Sequence, residues 1–300
     1  MTDFLEQVIR ERRMDVAAAR ALVTDAEMRA NAAASPNTRV GWFHQALWNG
    51  RANLTVVAEV KRRSPALGVL APDVDPAFQA RRYVAAGARA ISVLTEPRHW
   101  GGSLADVSAV RAAVAVPVLA KDIIVDPYQV YEARAAGADA VLLIAEAFPA
   151  AELKQVLDGG STAGAYVESG RGGLEGTLRE HDPLREMVAL VERLGMTALV
   201  EAHELAAFGR AVACGARVVG VNARNLRRPT EMDVGRVRQL HTFVHEDQVL
   251  VAESGITSVD DARMLPARVD AVLVGTALMR ADDPAPLIHG IASIRRTVHA

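Results

Sequence analysis

The chain has 300 residues, of which 50% are hydrophobic and 23% are charged, a composition typical of an ordinary globular protein. Its formal net charge of −2 excludes a global field that would attract nucleic acid or an anionic membrane. A single cysteine, Cys214, excludes a disulfide framework within the chain. The charged N-terminus does not resemble a signal peptide, and no apolar run reaches the roughly 18 residues of a membrane helix. We therefore predict a cytoplasmic protein with no membrane or nucleic-acid partner.

The N-terminal part of the chain is predicted to be helical. Residues 2–29 favour one or two helices, and the polar stretch 30–41 separates them from the first strand. We predict that residues 2–48 form an N-terminal helical extension that covers one end of the main fold. Residues 1–300 are predicted to form one domain.

Eight short apolar runs follow, each four to eight residues long and rich in β-branched side chains. They are residues 53–60, 89–94, 116–121, 139–144, 197–202, 217–221, 248–254 and 270–275. Near-continuous apolar character is typical of parallel strands that are covered on both faces. Segments with helical spacing lie between the runs, which indicates βαβ units. Eight strands in succession favour a (β/α)₈ TIM barrel, and an open doubly wound sheet is the alternative.

An internal repeat supports this α/β organisation. The sequences AAGARAISVL (85–94), AAGADAVLLI (135–144) and ACGARVVGV (213–221) share one pattern: the end of a helix, a glycine, a short turn and a strand. Glycine commonly ends helices because it adopts the left-handed conformation without strain. The long connection between strands 4 and 5 departs from the repeat, and its segment 158–183 is rich in Gly, Ser and Thr. We predict that this segment is an insertion.

Charged residues interrupt several strands near their C-terminal ends. Glu59 and Lys61 lie at the end of strand 1, Lys121 ends strand 3, and Glu201 lies in strand 5. Alternation along a strand places Glu59 and Lys61 on one face. Charges in an apolar strand are costly unless they are paired, so structural ion pairing is the simpler explanation. Because TIM-barrel active sites lie at this end of the strands, we interpret the four residues as catalytic.

The loops after the last two strands have the features of a phosphate site. Strand 7 is followed by Ser254 and Gly255, and strand 8 by Gly275 and Thr276. Glycines let backbone N–H groups approach an anion, and hydroxyl groups add further donors. In many TIM barrels these two loops bind phosphate. Ser64, after strand 1, is a candidate for one more donor.

The sequence contains no Cys–His cluster with the spacing of a metal site, no P-loop and no dinucleotide fingerprint. We therefore predict a site without metal or cofactor, which works by acid–base and electrostatic catalysis.

Several segments together resemble the indole-3-glycerol phosphate synthase family of tryptophan biosynthesis, in family order, from about residue 54 to 281. They are AEVKRRSPALG, LTEPRHWGGSL, LAKDIIVDPYQVYEARAAGADAVLLI, LVEAHE, GVNARNL, AESGI and VGTALM. The resemblance implies a decarboxylating lyase. Its substrate would be 1-(2-carboxyphenylamino)-1-deoxyribulose 5-phosphate, which closes to indole-3-glycerol phosphate with loss of CO₂ and water.

The resemblance also implies roles for the catalytic candidates. Lys121 would be the general acid that protonates the ketone, with its pKa lowered by burial and by a nearby lysine. Lys61 would hold the substrate carboxylate and assist a later proton transfer. Glu201 would be the acid–base residue for ring closure and dehydration. Glu59 would orient Lys61 and stabilise positive charge on the anilino nitrogen.

The remaining family positions would contact the substrate directly. Asn222 would hydrogen-bond the reacting hydroxyl groups, and Arg224 would help to bind the substrate. The phosphate would be held by Ser64, Ser254, Gly255, Gly275 and Thr276. The only partner implied is this small phosphorylated molecule, and we expect a monomer or a weak homodimer.

Three features depart from the family pattern. Ile123 follows Lys121–Asp122 where the family usually has Phe, and His99–Trp100 stands where a Phe-containing pair is common. The insertion at 158–183 has no family role that we can assign. We expect Trp100 to supply the missing aromatic wall. A divergent copy that serves a secondary pathway is an alternative. A sugar-phosphate isomerase of the same fold and an inactive barrel with a binding role are two others.

Overall fold

Eight parallel strands close into a barrel in the order in which they occur along the chain. The computed structural model describes residues 3–36, 39–49, 52–148 and 182–296. The barrel strands are β1 (Thr55–Val60), β2 (Ala90–Leu94), β3 (Val118–Lys121), β4 (Ala140–Ile144), β5 (Thr197–Ala202), β6 (Val218–Asn222), β7 (Val249–Glu253) and β8 (Ala271–Val274). Each lies within its predicted run, except that β6 extends one residue further. The predicted TIM barrel is confirmed, and the open-sheet alternative is wrong because β8 also pairs with β1.

Helices cover the outside of the barrel and explain why its strands are apolar on both faces. Those in the described ranges are α1 (Phe4–Leu22), α2 (Asp25–Ala34), α3 (Trp42–Trp48), α4 (Pro76–Ala85), α5 (Leu104–Ala113), α6 (Pro127–Ala135), α7 (Pro183–Arg193), α8 (Leu205–Ala213), α9 (Arg236–Leu240), α10 (Val259–Arg263), α11 (Thr276–Arg280) and α12 (Ala285–Ala292). Short 3₁₀ turns span Ala145–Ala147 and His241–Phe243. A small antiparallel hairpin, Arg63–Ser64 with Gly68–Val69, projects after β1.

Local sequence explains where several of these helices begin. Asp75, Asp126 and Asp182 precede α4, α6 and α7, and each carboxylate accepts a hydrogen bond from a backbone N–H of the first turn. A proline follows each aspartate at the first helical position, where its missing N–H costs nothing. The repeat's glycines lie just past helix ends with φ of +98°, +89° and +93° at Gly87, Gly137 and Gly215. Only glycine adopts this conformation readily.

The N-terminal helices lie at both ends of the barrel. Helix α3 packs against β2, β5 and β7, where Phe43 and Leu47 are buried. The backbone N–H of His44 donates to the hydroxyl of Thr197, the first residue of β5, so α3 lies at the N-terminal end of the strands. Helix α1 lies at the opposite end, where Arg12 binds the carboxylate of Asp122, the residue after β3. The extension therefore reaches the end that carries the catalytic candidates.

The predicted insertion 158–183 falls almost entirely outside the described residues. Asp182 and Pro183 are described, and they begin helix α7. Within the described ranges, no helix combines the length and apolar character needed to cross a membrane.

Candidate active site

A cavity of about 240 Å³ opens at the C-terminal ends of the strands. All eleven residues that the sequence identified as catalytic or substrate-binding line it. They are Glu59, Lys61, Ser64, Lys121, Glu201, Asn222, Arg224, Ser254, Gly255, Gly275 and Thr276. Six different strands or their following loops supply these residues, so the cavity depends on closure of the barrel.

Glu59 and Lys61 form an ion pair at the end of β1. The Lys61 Nζ lies 2.6 Å from the Glu59 Oε2, as expected for residues on one face of a strand. Burial opposes ionisation of Glu59, but Lys61 and then Lys121 outweigh it and lower the pKa of this carboxyl. A Cβ atom at Gly275 would lie 2.0 Å from the Glu59 Oε2 and 2.9 Å from the Lys61 Nζ. The absence of a side chain at Gly275 therefore leaves space for the Glu59–Lys61 ion pair.

Lys121 is buried among three carboxylates from three other strands. Its Nζ lies 2.8 Å from Glu253 Oε2, 3.6 Å from Glu201 Oε2 and 3.8 Å from Glu59 Oε1. Burial alone would lower the pKa of Lys121, but Glu253, Glu201 and Glu59 together raise it well above the usual lysine range. The predicted lowering of this pKa is wrong, because these carboxylates outweigh the effect of burial. Lys121 therefore carries a positive charge at neutral pH.

Glu253 is the residue of this cluster that the sequence interpretation missed. It is the last residue of β7, it is 1% exposed, and it makes the shortest contact to Lys121. Burial, followed by repulsion from Glu201, raises the pKa of Glu253 well above its usual range, although Lys121 opposes the shift. The signal was present in the sequence, since Glu253 is an acidic residue that ends an apolar strand.

Asn222 connects the carboxylate cluster to the loop after β6. Its Nδ2 donates to Glu201 Oε1 at 3.4 Å, and its Oδ1 accepts the backbone N–H of Arg224 at 2.9 Å. Burial lowers the pKa of the Arg224 guanidinium, and Glu59 opposes this shift. Because an arginine stays charged across the physiological range, Arg224 presents a cation to the cavity.

The loops after β7 and β8 contribute backbone and hydroxyl groups to the same cavity. Ser254 and Gly255 both have left-handed backbone conformations, with φ of 67° and 78°. Ser254 is the only non-glycine residue in the described ranges with positive φ, and such strain is concentrated at functional sites. Gly275 and Thr276 follow the neighbouring strand β8, and Arg280, which the sequence interpretation did not include, also lines the cavity.

An apolar wall completes the cavity. Trp100 and Ile123 both line it, and Phe4 of α1 packs against Trp100 with ring centroids 6.0 Å apart. The loop that carries Trp100 is folded around the buried carboxylate of Glu96. Glu96 accepts the backbone N–H groups of Arg98, His99 and Trp100 at 3.0, 2.6 and 3.0 Å. This arrangement holds an aromatic ring on the side of the cavity where Ile123 provides none.

Glu146, another acidic residue at a strand end, has a structural role. Its Oε1 accepts the backbone N–H groups of His203 and Glu204 at 2.7 and 2.9 Å. These bonds satisfy donors at the start of α8, whose N-cap makes no side-chain hydrogen bond of its own. Glu146 thereby fixes the loop that follows Glu201.

Comparison with known proteins assigns this chain to a family. The family model for indole-3-glycerol phosphate synthase matches residues 5–165 and 176–291, and the interruption falls within the Gly-rich segment. The indole-3-glycerol phosphate synthase of Nocardioides sp. is 50% identical over 236 residues, 78% of each chain. That of Micrococcus luteus is 41% identical over 298 residues, 98% of each chain. That of Rhodococcus opacus is 41% identical over 281 residues, covering 93% of this chain and 91% of the relative.

Solved structures of lower identity share the fold. Thiamine phosphate pyrophosphorylase from Pyrococcus furiosus has a TM-score of 0.52 and 18% identity, covering 80% of this chain and 95% of that one. 3-Hexulose-6-phosphate synthase from Salmonella typhimurium has a TM-score of 0.52 and 17% identity, covering 80% and 97%. At these identities the likeness concerns the barrel alone. The family model and the relatives that span nearly the whole chain are decisive: the chain belongs to the indole-3-glycerol phosphate synthase family.

Proposed function

We propose that this chain converts 1-(2-carboxyphenylamino)-1-deoxyribulose 5-phosphate to indole-3-glycerol phosphate, CO₂ and water, the decarboxylating ring closure of tryptophan biosynthesis. The observation that carries the proposal is one cavity lined by Lys61, Lys121, the buried Glu59 and Glu201, an apolar wall and two Gly-containing loops, with a further buried glutamate, Glu253, in contact with Lys121. Each part suits one part of the substrate, and membership of the family supports the same reaction.

The substrate has three groups that fix its orientation. Its phosphate binds the loops after β7 and β8, where Ser254, Gly255, Gly275 and Thr276 offer N–H and hydroxyl donors. Its aromatic ring packs against the apolar wall. Its carboxylate and ketone then face the two lysines. Binding energy from the phosphate and the ring holds the reacting carbon atoms together, which removes much of the entropic cost of ring closure.

Lys121 acts as the general acid of ring closure. The ring carbon that bears the carboxylate attacks the ketone carbon, and the ketone oxygen takes a proton from the Lys121 Nζ. A raised pKa makes Lys121 a weaker acid, but it ensures that the proton is present at neutral pH. Glu201 and Glu253 lie close enough to stabilise the ammonium group and to accept or return protons.

Lys61 and Glu59 act on the carboxylate side of the ring. Lys61 holds the substrate carboxylate until it leaves as CO₂, and the electron pair of the broken bond restores the aromatic ring. Glu59 fixes Lys61 through their 2.6 Å contact. Its depressed pKa keeps it anionic, so it also stabilises positive charge on the anilino nitrogen.

Dehydration completes the indole. Glu201 takes a proton from the ring CH₂ group, and the neighbouring hydroxyl leaves as water with a proton from Lys61. Asn222 donates to Glu201 and is placed to bind the hydroxyl that leaves. Every step is a proton transfer or a bond rearrangement within the substrate.

The test is a fluorescence assay for indole product formed from the carboxyphenylamino substrate. Lys121→Ala is expected to lower kcat/KM by about 10²- to 10⁴-fold, the usual contribution of a general acid. Arg263→Ala is the matched control and should keep wild-type activity. Arg263 is exposed, and it pairs with Asp260 of the same helix, α10. Retention of more than about a hundredth of the activity by a folded Lys121→Ala would contradict the role of Lys121. Absence of product from the wild type would contradict the function itself.

We also infer a cytoplasmic enzyme that acts as a monomer or weak homodimer on this one small substrate. The net charge of −2 and the single buried Cys214 support this setting. Burial raises the pKa of the Cys214 thiol to about 11, so the thiol is unreactive at neutral pH. Sedimentation over a range of protein concentrations tests the oligomeric state.

A further inference from the structure

Gly220 occupies the middle of β6, where a glycine has no conformational reason to be. Its backbone is extended strand, and it is not among the residues with positive φ. Glycine in a strand interior weakens the strand, and it commonly marks a place where another group approaches closely. Gly220 pairs in register with Glu201 of β5 and with Val251 of β7. The space beside it therefore belongs to the interior of the barrel.

The group that approaches Gly220 is the carboxyl of Glu253. A Cβ atom built at position 220 would lie 2.2 Å from Glu253 Oε1 and 3.2 Å from the Cβ of Glu201. Contacts under 3.0 Å essentially never occur for real Cβ atoms. Any side chain at this position would force the Glu253 carboxyl to move.

A shift of the Glu253 carboxyl alters its contact to Lys121. The other carboxyl oxygen, Oε2, lies 2.8 Å from the Lys121 Nζ. Glu253 is buried, and the Cβ of Glu201 borders the same space. The register pairs Glu253 with Asn222, two residues beyond Gly220, so the carboxyl occupies the space that a side chain at position 220 would fill.

We propose that Gly220 is a positioning residue, whose missing side chain creates the space that seats the Glu253 carboxyl against Lys121. Its effect on catalysis passes chiefly through Glu253 and rests on the proposed role of Lys121 as general acid. Displacement of Glu253 removes the closest of the carboxylates that keep Lys121 protonated. The pKa of Lys121 then falls, and its Nζ is held less precisely.

The kinetic test compares Gly220→Ala with Gly290→Ala. A Cβ atom at Gly290 would lie 2.5 Å from the Val259 Cγ2, so this control also overpacks the protein, but between α12 and α10. Gly220→Ala should lower kcat on the order of 100-fold, the typical cost of a 1 Å misplacement, with little change in KM. Its activity should also fall at a lower alkaline pH than that of the wild type. Gly290→Ala should keep the wild-type kcat and pH profile.

An unfolding test does not depend on the reaction. Gly220→Ala is made in the wild type, in Glu253→Ala and in Glu253→Asp, and the urea midpoints are compared. The substitution should lower the midpoint in the wild type and should not lower it in Glu253→Ala, where the clashing carboxyl is gone. Should Glu253→Ala not fold, the loss should be smaller in Glu253→Asp than in the wild type.

The proposal would be overturned if Gly220→Ala lowered the urea midpoint equally in all three backgrounds. It would also be overturned if a folded Gly220→Ala kept the wild-type kcat and lost activity at the same alkaline pH as the wild type. If the wild type forms no indole-3-glycerol phosphate, the proposed function fails. The unfolding comparison then decides by itself whether Gly220 seats Glu253.

Discussion

At the scale of single residues, the charge of Lys121 is set by neighbours from distant parts of the chain. Three carboxylates within 4 Å of its Nζ outweigh the cost of burial, which is the opposite of a lysine in an apolar pocket. Lys121 is therefore positively charged at neutral pH, but it is a weaker acid than an ordinary lysine. In the proposed reaction, catalysis then depends on precise placement of its proton beside the ketone, rather than on a pKa matched to neutral pH.

This charge predicts the pH dependence of kcat. The proton donor is the protonated lysine, which is lost as pH rises through its pKa. Because the pKa of Lys121 is raised, deprotonation of Lys121 should cause no loss of kcat up to about pH 9, well below the ordinary lysine value. Glu253→Gln removes a negative charge at 2.8 Å and should move the alkaline loss to lower pH. Profiles of kcat against pH for the wild type and Glu253→Gln measure the shift. A variant that loses kcat at the same pH as the wild type, or at a higher pH, would contradict the prediction.

Ser254 predicts a conflict between stability and activity. A non-glycine residue in the left-handed region, such as Ser254, costs about 1 to 2 kcal/mol of folding free energy. A glycine avoids this cost but loses more backbone entropy on folding. Ser254→Gly should therefore raise the free energy of unfolding by up to about 1 kcal/mol. Loss of a hydroxyl that binds the phosphate should lower kcat/KM by about tenfold or more.

The matched control for Ser254→Gly is Ser254→Ala, which removes the hydroxyl but keeps the strained backbone. It should lower kcat/KM similarly without the gain in stability. Urea denaturation and steady-state kinetics measure both effects. A less stable glycine variant, or one with wild-type kcat/KM, would show that the backbone strain or the hydroxyl has another role.

At the scale of elements, helix α1 is fastened to the loops that surround the cavity. Arg12 makes a two-pronged contact with Asp122, at 2.9 Å for both hydrogen bonds. The hydroxyl of Thr95 donates to the same carboxylate at 2.7 Å. Asp122 directly follows Lys121 in the chain. Arg12 and Asp122 are both buried. Helix α1 therefore supports the strand end that carries the proton donor.

Removal of this link should affect both stability and catalysis. Arg12→Met keeps the length of the side chain but leaves Asp122 buried without its cation, which should cost about 3 to 5 kcal/mol of unfolding free energy. It should also lower kcat, because the chain next to Lys121 loses its support. Arg20→Met is the control within the same helix. Arg20 pairs with the more exposed Asp25 and Asp126, so its loss should cost less than about 1 kcal/mol. Equal costs for the two variants in urea denaturation would contradict this account.

At the scale of the whole molecule, a ligand that binds only the folded barrel should stabilise it. The loops after β7 and β8, where we propose that phosphate binds, come together only when the barrel is closed, so inorganic phosphate should raise the thermal midpoint in a concentration-dependent way. At about one hundred times its Kd the gain is about 2.7 kcal/mol. Thermal melts in phosphate and in chloride of equal ionic strength measure the effect. Thr276→Val should reduce the gain, and an equal gain in this variant would place the anion elsewhere.

The barrel and the charged residues that line its cavity could be predicted from the sequence, because both predictions depend on local patterns. Strand length, β-branched composition and near-continuous apolar character are properties of five to eight neighbouring residues, and they located all eight strands. Charged residues at the ends of such runs are conspicuous for the same local reason. This is how Lys61, Lys121 and Glu201 were identified before any contact was known.

The electrostatic state of the site was decided only by the tertiary structure. Glu253 and Lys121 are 132 residues apart in the chain, yet their side chains are 2.8 Å apart in the barrel. Coulomb interactions depend on such distances and on burial, and neither can be read from a local pattern. For this reason the pKa of Lys121 was predicted in the wrong direction, and the sequence did not indicate a role for Gly220. Only closure of the barrel brings these three residues to one place, and there their charges and sizes become interdependent.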